Sequence, residues 1–232
     1  MKNNIYEDST YLNNNPTWHE QDSPWKAGLI LKIINRNNLK PDSVCEVGCG
    51  AGEIIKILST NIESGKTFDG YEVSPQAFKI CSGKSSEKLS YYLKDILKEE
   101  LSTYDIAMAI DIFEHVEDYL GFLKQLKSKA KYKIFHIPLD LSVQSILRGN
   151  KLDDLRRRIG HIHYFTKETA LSSLRDAGYE IKDYFYTSSS LELPNRGWKA
   201  NLMKIPRKLL FMINQDLASR LLGGFSLMVL AE

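Results

Sequence analysis

The sequence predicts an α/β fold: a doubly wound, mostly parallel sheet of seven strands with helices on both faces. Three observations carry this. Short apolar runs alternate with amphipathic stretches of about 10 to 15 residues, the pattern of strands joined by crossover helices. The first run ends in a glycine-rich turn that leads straight into helical periodicity. Acidic residues follow several of the runs, which places them together at one edge of such a sheet.

The elements follow in order. Residues 1–40 form an N-terminal cap segment and helix, and 41–232 form the main domain. After an asparagine-rich opening, residues 26–38 carry Ala27, Ile30, Leu31 and Ile34 at helical spacing, with Pro41 just beyond. A buried strand over 43–47 enters Gly48-Cys49-Gly50-Ala51-Gly52, and a helix resumes at Glu53. Strands over 67–73 and 89–94 flank a helix that Ser74-Pro75 starts. An apolar strand spans 104–110, an amphipathic helix 118–129, a strand 131–137, and a helix 167–177 that Gly178 ends. Strands over 179–187 and 225–231 close the sheet. Two insertions, at about 139–163 and 191–224, interrupt the rhythm and are rich in basic residues, which marks them as carriers of specificity.

Composition narrows the function classes. The 232 residues suffice to bury roughly 70% of the unfolded surface, which suits one large domain. Lys+Arg 31 against Asp+Glu 29 gives a net charge of +2, too small an excess for a dedicated nucleic-acid binder. Cys45, Cys49 and Cys81 match neither a disulfide framework nor a zinc motif, so a reducing cytoplasm is expected. Neither a signal peptide nor a membrane span is expected.

In Cys45-Glu46-Val47-Gly48-Cys49-Gly50-Ala51-Gly52 the glycines let the backbone approach a ligand closely. The dinucleotide fingerprint would need a third glycine where Glu53 stands, and a carboxylate there would face a pyrophosphate. The segment resembles instead the first motif, (E/D)xGxGxG, of the class I S-adenosylmethionine (SAM) dependent methyltransferases, whose Rossmann-like fold is the one predicted. The resemblance continues through Glu72 in Gly70-Tyr71-Glu72-Val73-Ser74, Asp95 in Lys94-Asp95-Ile96, Asp111-Ile112-Phe113-Glu114-His115-Val116, and Gly160-His161-Ile162-His163-Tyr164-Phe165-Thr166. It covers residues 40–187 and the last strand.

The resemblance implies SAM as cofactor and S-adenosylhomocysteine as product. Glu46, Gly48, Cys49, Gly50 and Gly52 would cradle it. Glu72 would hold the ribose hydroxyls beside Val73, Asp95 the adenine amine beside Ile96, and Asp111 with Ile112 would line the methionine end. Trp18 or Trp25 would cover the ligand, with sheet packing favoured for Trp25.

If the acceptor is a hydroxyl, a base must take its proton, and histidine suits neutral pH. His161 ranks first and His163 second, since residues two apart share a side when extended. His115 is the third candidate and shapes the cofactor pocket, whereas His136, inside a strand, reads as structural. Asp111, Glu114, His115 and the later histidines could converge on a metal, but none is expected, because no tight ligand spacing such as HExxH occurs.

Tyr164, Arg156 and Arg157 are the candidate acceptor contacts, and the basic insertions point to a small anionic acceptor, phosphorylated, nucleotide-linked or a glycan precursor. Residues 206–222 form a basic amphipathic stretch that can pack on the sheet, form a dimer face or touch a membrane for a lipid-like acceptor. The other readings are methylation of a macromolecule and a silent SAM-binding scaffold, in a monomer or a homodimer.

Overall fold

The computed structural model describes residues 20–100, 103–193, 202 and 204–232. Helix α1 (Ser23–Arg36) has Pro24 in its first turn and buries Ala27, Ile30, Ile33 and Ile34. Then follow β1 (Ser43–Val47), α2 (Glu53–Asn61), β2 (Thr67–Glu72), α3 (Pro75–Cys81), β3 (Leu89–Leu93) and β4 (Tyr104–Ile110). The second half runs α4 (Tyr119–Leu126), β5 (Ala130–Pro138), α5 (Val143–Leu147), α6 (Lys151–Ile159), α7 (Lys167–Asp176), β6 (Ile181–Thr187), α8 (Ser189–Glu192), α9 (Lys204–Ile213), α10 (Gln215–Leu222) and β7 (Ser226–Ala231).

The seven strands lie in the order β3-β2-β1-β4-β5-β7-β6. All pairings are parallel except those of β7, which is antiparallel to both β5 and β6. Because β7 runs antiparallel to β6, the link between them needs no crossover to the far end of the sheet, and it carries α8, α9 and α10 as an insertion at one edge. The chain steps outward from β1 to β3 in one direction and from β4 in the other. A crevice therefore opens at the carboxyl ends of β1 and β4, where doubly wound sheets bind ligands.

Both faces of the sheet are covered, so its central strands read as continuous apolar runs. In β4, Ala107 and Ala109 join the core beneath α4 and α7, while Ile106, Met108 and Ile110 join the one beneath α1 and α2. Local chemistry sets the ends. Ser74 caps α3 by accepting from Ala77 N, and Asp118 caps α4 by accepting from Gly121 N at 2.9 Å. Strand β6 begins later than its apolar run. Gly178 turns left-handed (φ +90), Tyr179 N donates back to Leu174 O, and the Tyr179 hydroxyl donates to Leu123 O. Among the described residues, no helix is long and apolar enough to cross a membrane.

Candidate active site

The crevice is a cavity of about 1500 Å³. Ordinary pockets for one small ligand hold about 300–1,000 Å³, so two ligands fit side by side. Its first wall is the turn after β1. Gly48, Gly50 and Gly52 have φ of +62°, +54° and +75°, a left-handed region that only glycine enters without strain. A Cβ on Gly48 would also lie 2.5 Å from Ile112 Cδ1.

Glu72 closes the turn from β2. Its Oε2 accepts from Gly50 N at 2.8 Å, and its Oε1 accepts from Val73 N and Ser74 N, each at 2.8 Å. Burial raises its pKa, and those three donors oppose the rise. Glu46, only 2% exposed, accepts from Ile55 N at 3.2 Å. Burial pushes its pKa up to about 8 against the pull of that donor and of Lys26. Asp95 accepts from Leu97 N at 3.1 Å, and Val73 and Ile96 stand on the same wall. Cys49 is buried, with Cys81 beside it and burial both pushing its thiol up, so it stays protonated.

The floor is an ion pair that sequence reasoning did not assemble. Asp111, itself left-handed at φ +55°, has Lys26 Nζ 2.7 Å from Oδ2 and His136 Nδ1 2.6 Å from Oδ1. His136 Nε2 lies 2.9 Å from Thr187 Oγ1. Burial alone would raise the Asp111 pKa, but His136 and Lys26 hold it well below the carboxylate range. His136, read as structural, thus reaches the cavity wall. Trp25 also lines it, with its ring edge on His136 and Nε1 donating to Glu192 Oε2 at 2.8 Å. Trp18 lies outside the described residues.

The opposite side carries the histidines. His161 Nδ1 is 2.6 Å from Asp140 Oδ2, and the His161 and His115 rings meet edge to face at 4.8 Å. His115 Nδ1 is 3.0 Å from Gly160 O. Burial, then the neighbouring His161, pushes the His115 pKa down to about 4, so its ring is neutral at pH 7.

Three expectations are corrected here. His163 does not share a side with His161: Ile162 N and His163 N both donate to Glu114 O, at 2.9 and 3.1 Å, which breaks the extended alternation. Its ring packs on Tyr119 and its Nε2 lies 2.9 Å from Val116 O, away from the cavity. Tyr164 is turned onto α6, where its hydroxyl donates to Leu152 O at 2.9 Å. Arg156 and Arg157 are exposed, and Arg157 pairs with Asp153 and Asp154. The face of α6 on the cavity is that of Lys151, Leu155, Arg158 and Ile159, at helical spacing. Arg148 and Arg207 line the same wall.

Arg207 is 8% exposed, and its Nη2 donates to Gln144 Oε1 at 3.1 Å and Leu222 O at 3.2 Å. Its Nε has no hydrogen-bond partner among the described residues. Burial and Arg148 lower its pKa, the signature of a cation without a counter-charge.

A family model described as methyltransferase domain matches residues 18–183, most of the chain. The chain belongs to the methyltransferase-domain family. Its class I members use SAM, and SAM is the cofactor of this domain. The chain is 24% identical over 135 residues to the ubiquinone biosynthesis O-methyltransferase of Vibrio parahaemolyticus, covering 55% of each. It is 27% identical over 107 residues to the protein of that name from Rickettsia typhi, covering 44% of this chain and 43% of that one. It thus spans about half the length of the curated relatives it matches.

Solved methyltransferases share the fold. The N-methyltransferase NodS of Bradyrhizobium japonicum, solved with S-adenosyl-L-homocysteine, superposes with a TM-score of 0.59 at 14% identity, over 97% of this chain and 98% of that one. A structure of the complex between the Haloferax volcanii Trm112 methyltransferase activator and a methyltransferase gives 0.66 at 11% identity, over 97% of both chains.

Proposed function

We propose that this methyltransferase moves the SAM methyl group to a hydroxyl oxygen of a small anionic acceptor. The observation that carries the acceptor class is the half of the cavity where the His161–Asp140 pair shares a wall with Arg148, Lys151, Arg158 and the buried Arg207.

The cofactor half fits SAM. The left-handed glycine turn presents bare backbone to the cavity, Glu72 can accept from a ribose diol, and Glu46 can face an α-ammonium. Asp95, Val73 and Ile96 would frame the adenine, and Asp111 with Ile112 the methionine end. When bound, SAM supplies an activated methyl on sulfonium: the S–CH3 bond breaks with its electrons kept on sulfur, and an O–CH3 bond forms. The protein's task is then alignment of the acceptor oxygen and removal of its proton. His161 stands on the acceptor side with Nδ1 tied to Asp140, which leaves Nε2 as the basic nitrogen. An anionic group on the acceptor would compensate Arg207, whose Nε lacks a partner among the described residues.

A pH signature follows for Glu46. Because its pKa is about 8 in the folded protein, it carries a proton at pH 7, and a cationic ammonium beside it would favour the ionised form. SAM binding at pH 7 should therefore release a proton, so the calorimetric enthalpy should change with the ionisation enthalpy of the buffer. Glu46→Gln should abolish that dependence.

The acceptor class is tested by incubating the protein with SAM and paired hydroxylated compounds, with and without a phosphate or carboxylate, and measuring S-adenosylhomocysteine. The anionic member of each pair should be preferred, and Arg207→Leu should raise its KM about tenfold or more while sparing neutral acceptors. Equal turnover of both members would defeat the anionic assignment. A second reading, a quinol-like acceptor, draws on the exposed Leu209, Met212 and Ile213 of α9 and on the name of the curated relatives. In the same assay it predicts preference for the apolar member.

A further inference from the structure

Glu114 is used by nothing described so far. Its side chain is fully buried, and among the described residues neither carboxylate oxygen has a hydrogen-bond partner. Leaving such a group unsatisfied costs about 1–3 kcal/mol, and more if it is charged. The residue is held there by a short helical turn, Phe113–His115, whose central carbonyl is pinned by Ile162 N and His163 N.

Two imidazoles face this carboxylate. His115 Nε2 is 3.9 Å from Glu114 Oε1, and one donor atom from each of Glu114, His115 and His161 lies within 4.8 Å of the others. The outer nitrogens of both rings are already assigned. A carbonyl only accepts, so His115 Nδ1 carries the hydrogen toward Gly160 O, and His161 Nδ1 likewise donates to the Asp140 carboxylate. Each ring then has its lone pair on Nε2. An imidazole whose other N–H is fixed by a carbonyl or carboxylate is the form in which histidine binds metals.

We propose that Glu114, His115 and His161 form a binding site for one divalent transition-metal cation. Two imidazole nitrogens and one carboxylate oxygen suit zinc, manganese, iron(II) or cobalt(II) rather than calcium. Bonds of about 2.0–2.2 Å bring donors to roughly 3.5 Å apart, so side-chain shifts of about 1 Å complete the site. Three protein ligands leave positions open, and His115 and His161 both line the cavity on the acceptor side.

The inference rests on the acceptor half of the proposed function and changes the role of His161. With the ion bound, its Nε2 is a ligand, and the acceptor hydroxyl binds the metal, loses its proton to solvent near neutral pH and attacks as the oxyanion. Asp140 then acts as a positioning residue that holds His161.

The test is titration of the chelator-stripped full chain with cobalt(II), followed by its visible absorption. One ion per chain is expected, displaced by zinc. His161→Ala and Glu114→Gln should each remove the spectrum, and Asp140→Asn should weaken affinity about 10–100-fold. His115→Asn provides the same reading if Glu114→Gln does not fold. SAM titration of each sample separates the outcomes. Protein that binds SAM but takes up no cobalt, or that keeps full turnover after chelation, overturns the metal site and leaves direct proton capture by His161 standing. Protein that binds neither fails the cofactor reading itself.

Discussion

Replacing His161 by alanine is expected to lower turnover by about 10²–10⁴-fold, the usual contribution of a group that serves proton removal, whether its Nε2 takes the proton itself or holds the ion that acidifies the hydroxyl. SAM affinity should stay close to that of the parent, because His161 belongs to the acceptor wall and Glu72 and the glycine turn to the other. The short contact to Asp140, 2.6 Å, fixes both ring orientation and tautomer. Asp140→Asn replaces an acceptor by an amide that can present its NH₂ to Nδ1, which moves the hydrogen to Nε2 and removes the basic lone pair from the cavity. It should therefore follow His161→Ala in kcat. His163→Ala serves as the contrast: its ring contacts Tyr119 and a backbone carbonyl, so it should affect stability more than turnover. Equal losses in the two histidine variants would contradict the assignment.

Glu72→Ala carries the second large effect. Its carboxylate holds Gly50 N on one oxygen and Val73 N and Ser74 N on the other, so it tethers the glycine turn to the end of β2 besides facing a ribose. Hydrogen bonds to a charged group contribute about 1.5–3 kcal/mol each, and about 1.4 kcal/mol is a factor of ten in affinity. Loss of the diol contact with loosening of the turn should weaken SAM about 100-fold or more. Glu72→Gln keeps the shape and one acceptor and should fall between. Calorimetry reads both, and parental affinity in Glu72→Ala would make the ribose assignment wrong.

The strands and the cofactor half of the cavity were legible for a physical reason. Strands buried on both faces write themselves as apolar runs, and a backbone that must turn left-handed at Gly48, Gly50 and Gly52 leaves glycines at alternate positions. The acceptor half was less legible, because its geometry depends on rotation and local breaks. Which arginines of α6 face inward is set by the phase of the helix, and Arg158 rather than Arg156 or Arg157 has it. The divergence of His161 from His163 comes from two amides sharing the Glu114 carbonyl, which no residue pattern encodes.

Lys26 and Thr187 reach the floor from elements distant in sequence, and each is an ordinary residue in its own helix or strand. Glu114, His115 and His161 lack a compact ligand spacing because α4, β5 and both helices of the first insertion intervene. Asp140 did have a signal. It is the acidic residue just past β5, continuing the series of Glu72, Asp95 and Asp111 after the earlier strands.

The most direct test of the central claim is calorimetric titration of the folded chain with SAM and, separately, with NAD. The glycine turn, with Glu53 where a dinucleotide site needs glycine and with Glu46 and Glu72 buried beside it, predicts binding of SAM at one site per chain and no heat from NAD. A folded chain that ignores SAM, or that binds NAD in its place, would contradict the account.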